Sequence, residues 1–231
     1  IRDWYNGYRF DENAETVYNP VSVMRCLQEM KFKNFWFETG TPSFLINLLR
    51  NKPVNLDDLS VPETAFSAYE PERLVPLPLL VQTGYLTIKN LETLGRRRQY
   101  HLTFPNYEIE EAFSMYLAEG FSATSQEELN GALNRMLKAL SEADVDQMLD
   151  HLKVFFANIP NDITLKREKY YQTIFFTVFK LIGAVIEAEV RTNIGRVDAV
   201  VKTSSTIFIF EFKLHGTAEE AMQQIRDKGY A

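Results

Sequence analysis

The sequence is poor in cysteine, in long apolar runs and in positive charge, and each shortage argues against a class of protein. Cys26 is the single cysteine among 231 residues, so an internal disulfide framework is excluded and a reducing, cytoplasmic setting is expected. No run of about 18 apolar residues occurs, so we expect no membrane-spanning helix. The net charge of −6 argues against a chain covered in nucleic-acid-binding surface. From Thr164 onward, however, 10 Lys and Arg outnumber 8 Asp and Glu, so this part alone can present a positive field.

Familiar nucleotide-binding and zinc-binding motifs are absent as well. No G-x-x-x-x-G-K-[ST] segment occurs, so ATP could bind only through residues that this chain lacks. The three histidines, His101, His151 and His215, are too scattered for a paired zinc site. The chain starts with Ile1 and shows no signal peptide, so we expect it to be a fragment of a longer intracellular protein.

The first 120 residues predict a mainly helical part that contains one hairpin. Helices are expected after Asn19-Pro20 and over residues 41–50, and the polar, proline-containing residues 51–72 indicate a loop. A short apolar helix within residues 72–83 precedes two alternating runs, 85–91 and 98–104, which form a hairpin joined by residues 92–97. A helix over residues 107–118 follows. This helix, hairpin, helix order resembles the second half of a winged-helix module.

The tip of the predicted wing is basic. Arg96, Arg97 and Arg98 follow one another there, and we expect them to contact DNA phosphates, although a solvated turn is the ordinary meaning of such a cluster.

Residues 121–231 predict a helical pair followed by an α-β-β-β-α unit. Helices over 125–140 and 142–158 are expected to start at Ser125, in a capping box with Glu128, and at Ser141. The unit that follows is expected to consist of a helix over 166–182, strands over 184–192, 196–202 and 206–214, and a helix over 218–228. We therefore divide the chain into residues 1–120, a helical linker over 121–163 and an α/β domain over 164–231.

The last two strands are expected to set two carboxylates opposite each other. If their hairpin is centred between Ser204 and Ser205, Asp198 faces Glu211, and Arg196 faces Lys213 on the same side. Because opposed carboxylates repel each other, a divalent cation such as Mg²⁺ is expected between them. Two carboxylates beside an amine suit metal-assisted phosphodiester hydrolysis. The reverse face then holds only apolar residues, which fixes the register: Val197, Ala199, Val201, Phe208, Phe210 and Phe212.

The preceding strand and the final helix add two candidates. A turn at residues 193–194 would set Glu189 opposite Asp198, whereas a turn at 194–195 would set Arg191 there. Both registers stay open, so Glu189 is a second-rank metal ligand. The final helix should start with a Thr217–Glu220 capping box and bury Ala218, Ala221, Met222 and Ile225, with Gln224 bordering that stripe and Gln223 pointing away.

These residues resemble the motifs of the PD-(D/E)XK nuclease superfamily. The resemblance rests on Gly195-Arg196-Val197-Asp198, on Glu211-Phe212-Lys213 and on Gln224-Ile225, and the α-β-β-β-α order is that fold's core. It covers about residues 165–231 and implies a restriction-endonuclease-like domain that lacks its last core strand. It further implies that Asp198 and Glu211 bind Mg²⁺ or Mn²⁺, that the Phe212 carbonyl adds a ligand, that Lys213 assists the nucleophilic water and that Gln224 is the accessory residue of the helix.

The N-terminal part is similar to the end of an AAA-ATPase-like region found in bacterial proteins that fuse it to such a nuclease domain. The segments that carry this looser resemblance are residues 4–10, 18–20 and 35–41, within about residues 1–105. The sequence thus predicts a two-part α+β protein that cuts DNA with Mg²⁺ and contacts it through Arg196 and the wing arginines. The alternative is a binding module of a larger ATPase-like protein that recognises nucleic acid or protein without cutting.

Overall fold

A computed structural model describes residues 1–39, 43–52, 54, 59–66, 75–122, 124–157, 168–181, 185–191, 196–202, 206–211 and 217–227. For residues 38–39, 94, 168–173, 176, 185–191, 196–199 and 218 it describes the backbone alone. The chain divides into two compact units, Ile1–Gly120 and Phe121–Ala231.

The first unit is built from short helices around two small antiparallel sheets. Strands β1 (Asn6–Tyr8) and β2 (Val17–Tyr18) pair with each other, and β3 (Ser60–Pro62), β5 (Arg97–Thr103) and β4 (Thr87–Leu94) form a second sheet with β5 in the middle. The elements, in chain order, are α1 (Arg2–Tyr5), β1 (Asn6–Tyr8), β2 (Val17–Tyr18), α2 (Pro20–Glu29), a 3-10 helix (Trp36–Thr39), α3 (Ser43–Asn51), β3 (Ser60–Pro62), a 3-10 helix (Glu63–Phe66), α4 (Pro76–Gln82), β4 (Thr87–Leu94), β5 (Arg97–Thr103) and α5 (Tyr107–Ser122).

The start of α2 confirms the predicted cap. The Asn19 side-chain oxygen accepts hydrogen bonds from the backbone N–H groups of Val21, at 3.0 Å, and Ser22, at 3.4 Å. These donors have no partner within the helix, so the asparagine side chain replaces the missing carbonyls. Pro20 occupies the first turn, where its missing N–H costs nothing.

Two predictions for this unit are wrong. Residues 60–66 lie in the expected loop but form β3 and a 3-10 helix, and β3 pairs with β5 through Val61 and Tyr100. A three-residue strand that ends in proline is too short for alternation to reveal it. The β4–β5 hairpin also continues to the Leu94–Arg97 pair, so its turn is shorter than residues 92–97. Exposed polar residues extend these strands, and their polarity resembles that of a loop.

In the described part of the second unit, three helices precede a sheet of three strands and one helix follows it. Its elements are α6 (Gln126–Ser141), α7 (Val145–Ala157), α8 (Glu168–Leu181), β6 (Val185–Arg191), β7 (Arg196–Lys202), β8 (Ile207–Phe210) and α9 (Ala218–Asp227). The three strands form one antiparallel sheet in the order β6-β7-β8. The described elements therefore follow the predicted α-β-β-β-α order, and the chain combines helices and small sheets as an α+β protein does.

Capping explains where the helices of this unit start. The Ser125–Glu128 capping box of α6 is present as predicted. Ser141 does not cap α7: it lies in the last turn of α6 and donates its hydroxyl to the Lys138 carbonyl at 2.7 Å. Asp144 takes that role, accepting from the Gln147 N–H at 2.9 Å. Its carboxylate also complements the positive end of the helix dipole, which a serine hydroxyl cannot do.

Among the helices in the described ranges, none has both the length and the hydropathy needed to cross a membrane.

Candidate active site

The β7–β8 hairpin has the register that the sequence predicts. Ala199 pairs with Phe210, and Val201 pairs with Phe208. Position 211 follows Phe210, and position 198 precedes its partner Ala199, so one further step along the register sets Asp198 opposite Glu211. The register follows from the apolar alternation, because a slip by one residue would turn the aromatic residues of β8 to the other face.

The β6–β7 ladder decides between the two registers that the sequence left open. Ala188 pairs with Ala199, and Val190 pairs with Val197. The position between these two pairs sets Glu189 opposite Asp198. Positions 189, 198 and 211 therefore lie in one row across three adjacent strands, with neighbouring Cβ atoms about 5 Å apart.

An aromatic layer supports the sheet from the opposite face. Phe210 packs on α8, with its ring centroid 5.0 Å from that of Phe175 and 5.6 Å from that of Phe179. Val201 and Phe208 are buried on the same face. Alternate residues of a strand share a face, so the acidic row lies on the sheet face opposite to this packing. Rigid packing on one side holds the strands that carry the row.

Gln224 of α9 meets the acidic row directly. Its side-chain amide donates a hydrogen bond to the Glu211 carboxylate, and both side chains are half-buried. The start of α9 is fixed by the predicted capping box, in which Glu220 N–H donates to Thr217 and Thr217 N–H donates to Glu220. Gln223 is exposed and bonds Asp227 at 2.6 Å instead. The structure thus brings Gln224, and not its neighbour, to the row.

One residue of the predicted buried stripe of α9 was assigned wrongly. Met222 is 50% exposed, whereas Ala221, Gln224 and Ile225 are half-buried. Residues 221, 224 and 225 have the spacing of one helix face, and choosing this face over the one with Met222 turns Gln224 toward Glu211.

Several predicted site residues fall where the structure gives less detail. Phe212 and Lys213 lie outside the described residues, and for Glu189, Arg196 and Asp198 the backbone alone is described. Among the side chains that are described, no group of three His, Cys, Asp or Glu could hold a metal ion. The row is therefore defined by strand register and by the Glu211–Gln224 contact.

The three wing arginines differ in their surroundings. Arg98 forms ion pairs of 2.7 Å with both Glu12 and Glu63 of its own unit. Arg96 and Arg97 lie at the exposed turn of the β4–β5 hairpin.

A buried acid in the first unit escaped the sequence interpretation. Glu108 of α5 is fully buried, and its Oε1 accepts from Ser22 Oγ and from the backbone N–H groups of Phe35 and Trp36 at 2.8–2.9 Å. Burial raises the pKa of this carboxyl above its usual range. The signal was available, because Glu108 lies four residues before Ala112 on the buried face of α5. Its hydrogen bonds join α5 to α2 and to residues 35–36, which follow α2 in the chain, so its role is structural.

A comparison with protein families gives a match within the second unit. Residues 166–231 match the family model described as PD-(D/E)XK nuclease superfamily. This range contains α8, the three strands and α9, so the match coincides with the fold that carries the acidic row. The match supports a restriction-endonuclease-like part in this range and suggests a nuclease.

One relative aligns with the whole length of this chain. It is a protein of Azotobacter chroococcum mcd 1 described as an uncharacterized protein in vnfD 5'region, and it is 34% identical over 246 residues. The alignment covers 100% of this chain and 46% of the relative, so the chain spans about half of that protein's length. No solved structure matches the chain.

Proposed function

We propose that residues 166–231 are the catalytic domain of a nuclease that hydrolyses phosphodiester bonds, in DNA, with Mg²⁺ or Mn²⁺ as cofactor. The observation that carries the proposal is the acidic row: the ladders align positions 189, 198 and 211, and Gln224 reaches the last of them. The family match over the same residues supports it.

The donor chemistry of the row fits a hard divalent cation. Carboxylate and carbonyl oxygens are the ligands that Mg²⁺ and Mn²⁺ prefer. Asp198 and Glu211 would hold the ion, with the Phe212 carbonyl and Glu189 as further ligands. When bound, such an ion supplies Lewis acidity at a phosphoryl oxygen and lowers the pKa of a coordinated water. Without it, adjacent carboxylates would repel both one another and a nucleic acid.

Two residues next to the acidic row are proposed to assist catalysis, Gln224 and Lys213. The Gln224 amide fixes the orientation of the Glu211 carboxylate, as hydrogen-bonding neighbours of metal ligands commonly do. We take Lys213, two positions after Glu211, to share the face of Glu211, as alternate residues of a strand do. We assign its amine to stabilising the negative charge that develops on the phosphate and to assisting the attacking water.

We further propose that the first unit belongs to an AAA-ATPase-like region and includes a winged-helix-like part. Its supporting observation is that the segments bearing that resemblance pack together: Asn19 N–H donates to the Tyr5 carbonyl at 2.9 Å, and the Tyr5 and Phe35 ring centroids lie 6.3 Å apart. The β3-β5-β4 sheet with its exposed Arg96 and Arg97 is the winged part, and these arginines would contact DNA phosphates. We also propose a cytoplasmic location, because a nucleic-acid substrate is present there.

Cleavage of supercoiled plasmid DNA tests the nuclease proposal. The protein should nick or linearise the plasmid with Mg²⁺ or Mn²⁺ but not with EDTA, and Asp198→Ala and Lys213→Ala should abolish cutting. Asp146→Ala, which removes an exposed carboxylate from α7, is the matched control and should cut normally.

The second candidate function is a binding module, which the two exposed wing arginines favour. If wild type, Asp198→Ala and Lys213→Ala bind DNA equally and none of them cuts with either metal, the binding module replaces the nuclease.

A further inference from the structure

The β6–β7 ladder ends with two arginines directly opposite each other. Arg191 pairs with Arg196, at the end of the ladder next to the connection between the strands. Like charges directly opposed on neighbouring strands destabilise the pair, because their Cβ atoms are only about 5 Å apart. A negative partner would relieve this repulsion.

The arginine pair lies beside the acidic row on one face of the sheet. Arg191 follows Glu189 by two residues, and Arg196 precedes Asp198 by two residues, so the two pairs share a face. Two strand residues span about 7 Å, which separates the pairs by that distance. The row alone would repel a polyanion, and the arginines are the positive positions nearest to it along these two strands.

We propose that Arg191 and Arg196 form a phosphate clamp that holds the backbone of DNA beside the scissile bond. The proposal rests on the proposed nuclease function and adds to it a pair of substrate-positioning residues. A guanidinium presents two parallel N–H groups that match phosphate oxygens, so two opposed arginines can hold one phosphate or two successive ones. Such contacts set register and orientation and carry no sequence information.

A purely structural explanation makes a different prediction. Each arginine is also diagonal to a carboxylate of the neighbouring pair, Arg191 to Asp198 and Arg196 to Glu189, and diagonal positions lie within reach of long side chains. If these ion pairs were the whole role, neutral variants would lower the stability of the fold and leave the salt dependence of DNA binding unchanged.

Salt-dependent DNA binding distinguishes the two roles. The anisotropy of a fluorescein-labelled 20-base-pair duplex DNA is followed as protein is added, with Ca²⁺ in place of Mg²⁺, at several KCl concentrations. Arg191→Gln and Arg196→Gln are each expected to weaken binding about tenfold, since a hydrogen bond to a charged group is lost. Each should also make the negative slope of log K against log [KCl] shallower by about 0.9, and the double variant by about 1.8.

The controls keep the outcome interpretable. Arg135→Gln removes the same charge from an exposed position on α6 and should leave affinity and slope as in wild type. Arg191→Lys keeps the charge but loses the paired donors, so it should retain the slope and lose part of the affinity. A second duplex of unrelated sequence should give the same changes.

Two results overturn the clamp in distinguishable ways. If both glutamine variants keep the affinity and the slope of wild type, and wild type still cuts DNA, the clamp is wrong and the nuclease proposal is unaffected. A lowered melting temperature in those variants would then show that the diagonal ion pairs are the role of the two arginines. Failure of the wild type to cut DNA with either metal would remove the nuclease, and the clamp with it.

Discussion

Replacing Asp198 by asparagine should make the protein more stable in the absence of metal. Asp198 is the central position of the acidic row, with Glu189 opposite it on one side and Glu211 on the other. Two unit charges about 5 Å apart repel each other by about 1 kcal/mol in water and about 3 kcal/mol at an effective dielectric constant of 20. The substitution relieves both contacts but also weakens the diagonal attraction to arginine. We therefore expect the free energy of unfolding in EDTA to rise by about 1–3 kcal/mol.

The same variant should lose the response to metal. Wild type at a Mn²⁺ concentration 100 times its dissociation constant should gain about 2.7 kcal/mol, because only the folded row binds the ion. Urea denaturation in EDTA and in Mn²⁺ measures both effects, and the exposed-site variant Asp146→Asn should behave like wild type in each. An Asp198→Asn protein that is less stable than wild type in EDTA, together with a wild type indifferent to Mn²⁺, would refute the reasoning.

Three further substitutions test other parts of the account. Gln224→Ala should lower the cleavage rate about 10–100-fold in a plasmid assay, because the Glu211 carboxylate loses its orienting amide, whereas Gln223→Ala should not. Glu108→Gln should grow more stable relative to wild type as pH rises above about 4.5, in urea denaturation over a pH series, because the buried carboxyl with its raised pKa loses stability on ionising and the amide does not. Gly7→Ala should lower the free energy of unfolding by at least about 3 kcal/mol, since the added Cβ would lie 1.7 Å from the Pro105 carbonyl oxygen at a φ of +131°. Gly95→Ala, at a φ of +63° with open space around it, should lower it by about 1 kcal/mol.

Each of these three has a result that contradicts it. Equal rates for the Gln224 and Gln223 variants would show that the amide does not orient Glu211 during catalysis. A stability difference between Glu108→Gln and wild type that stays constant over pH would show that the carboxyl does not titrate differently on folding. Equal destabilisation by the two glycine substitutions would mean that the backbone around Gly7 can move away from Pro105.

The sequence predicted the parts of the site that rest on local or pairwise rules. The β7–β8 register followed from the contrast between apolar Phe208 and Phe210 and the polar positions that alternate with them. The caps at Asn19 and Ser125 followed from side chains that can accept from the free N–H groups of a first helical turn. These rules need no knowledge of the tertiary fold.

The features that escaped prediction depend on longer-range packing. Two turn positions, residues 193–194 and residues 194–195, fitted the β6–β7 connection equally well, and the complete ladder was needed to set Glu189 opposite Asp198. The helical stripe of α9 fitted a face with Met222 as well as one with Gln224, and the structure has the latter. The helical spacing of Glu108 indicates that it is buried, but its donors, Ser22 and residues 35–36, are distant in sequence and no local pattern identifies them.

The most direct test of the central claim is an anomalous difference map from a crystal of this chain soaked in Mn²⁺. The account predicts a peak within coordination distance, about 2.0–2.6 Å, of carboxylate oxygens of both Asp198 and Glu211, and its loss in Asp198→Asn. An ordered site without a peak, in which those two carboxylates lie on opposite faces of the sheet, would contradict it.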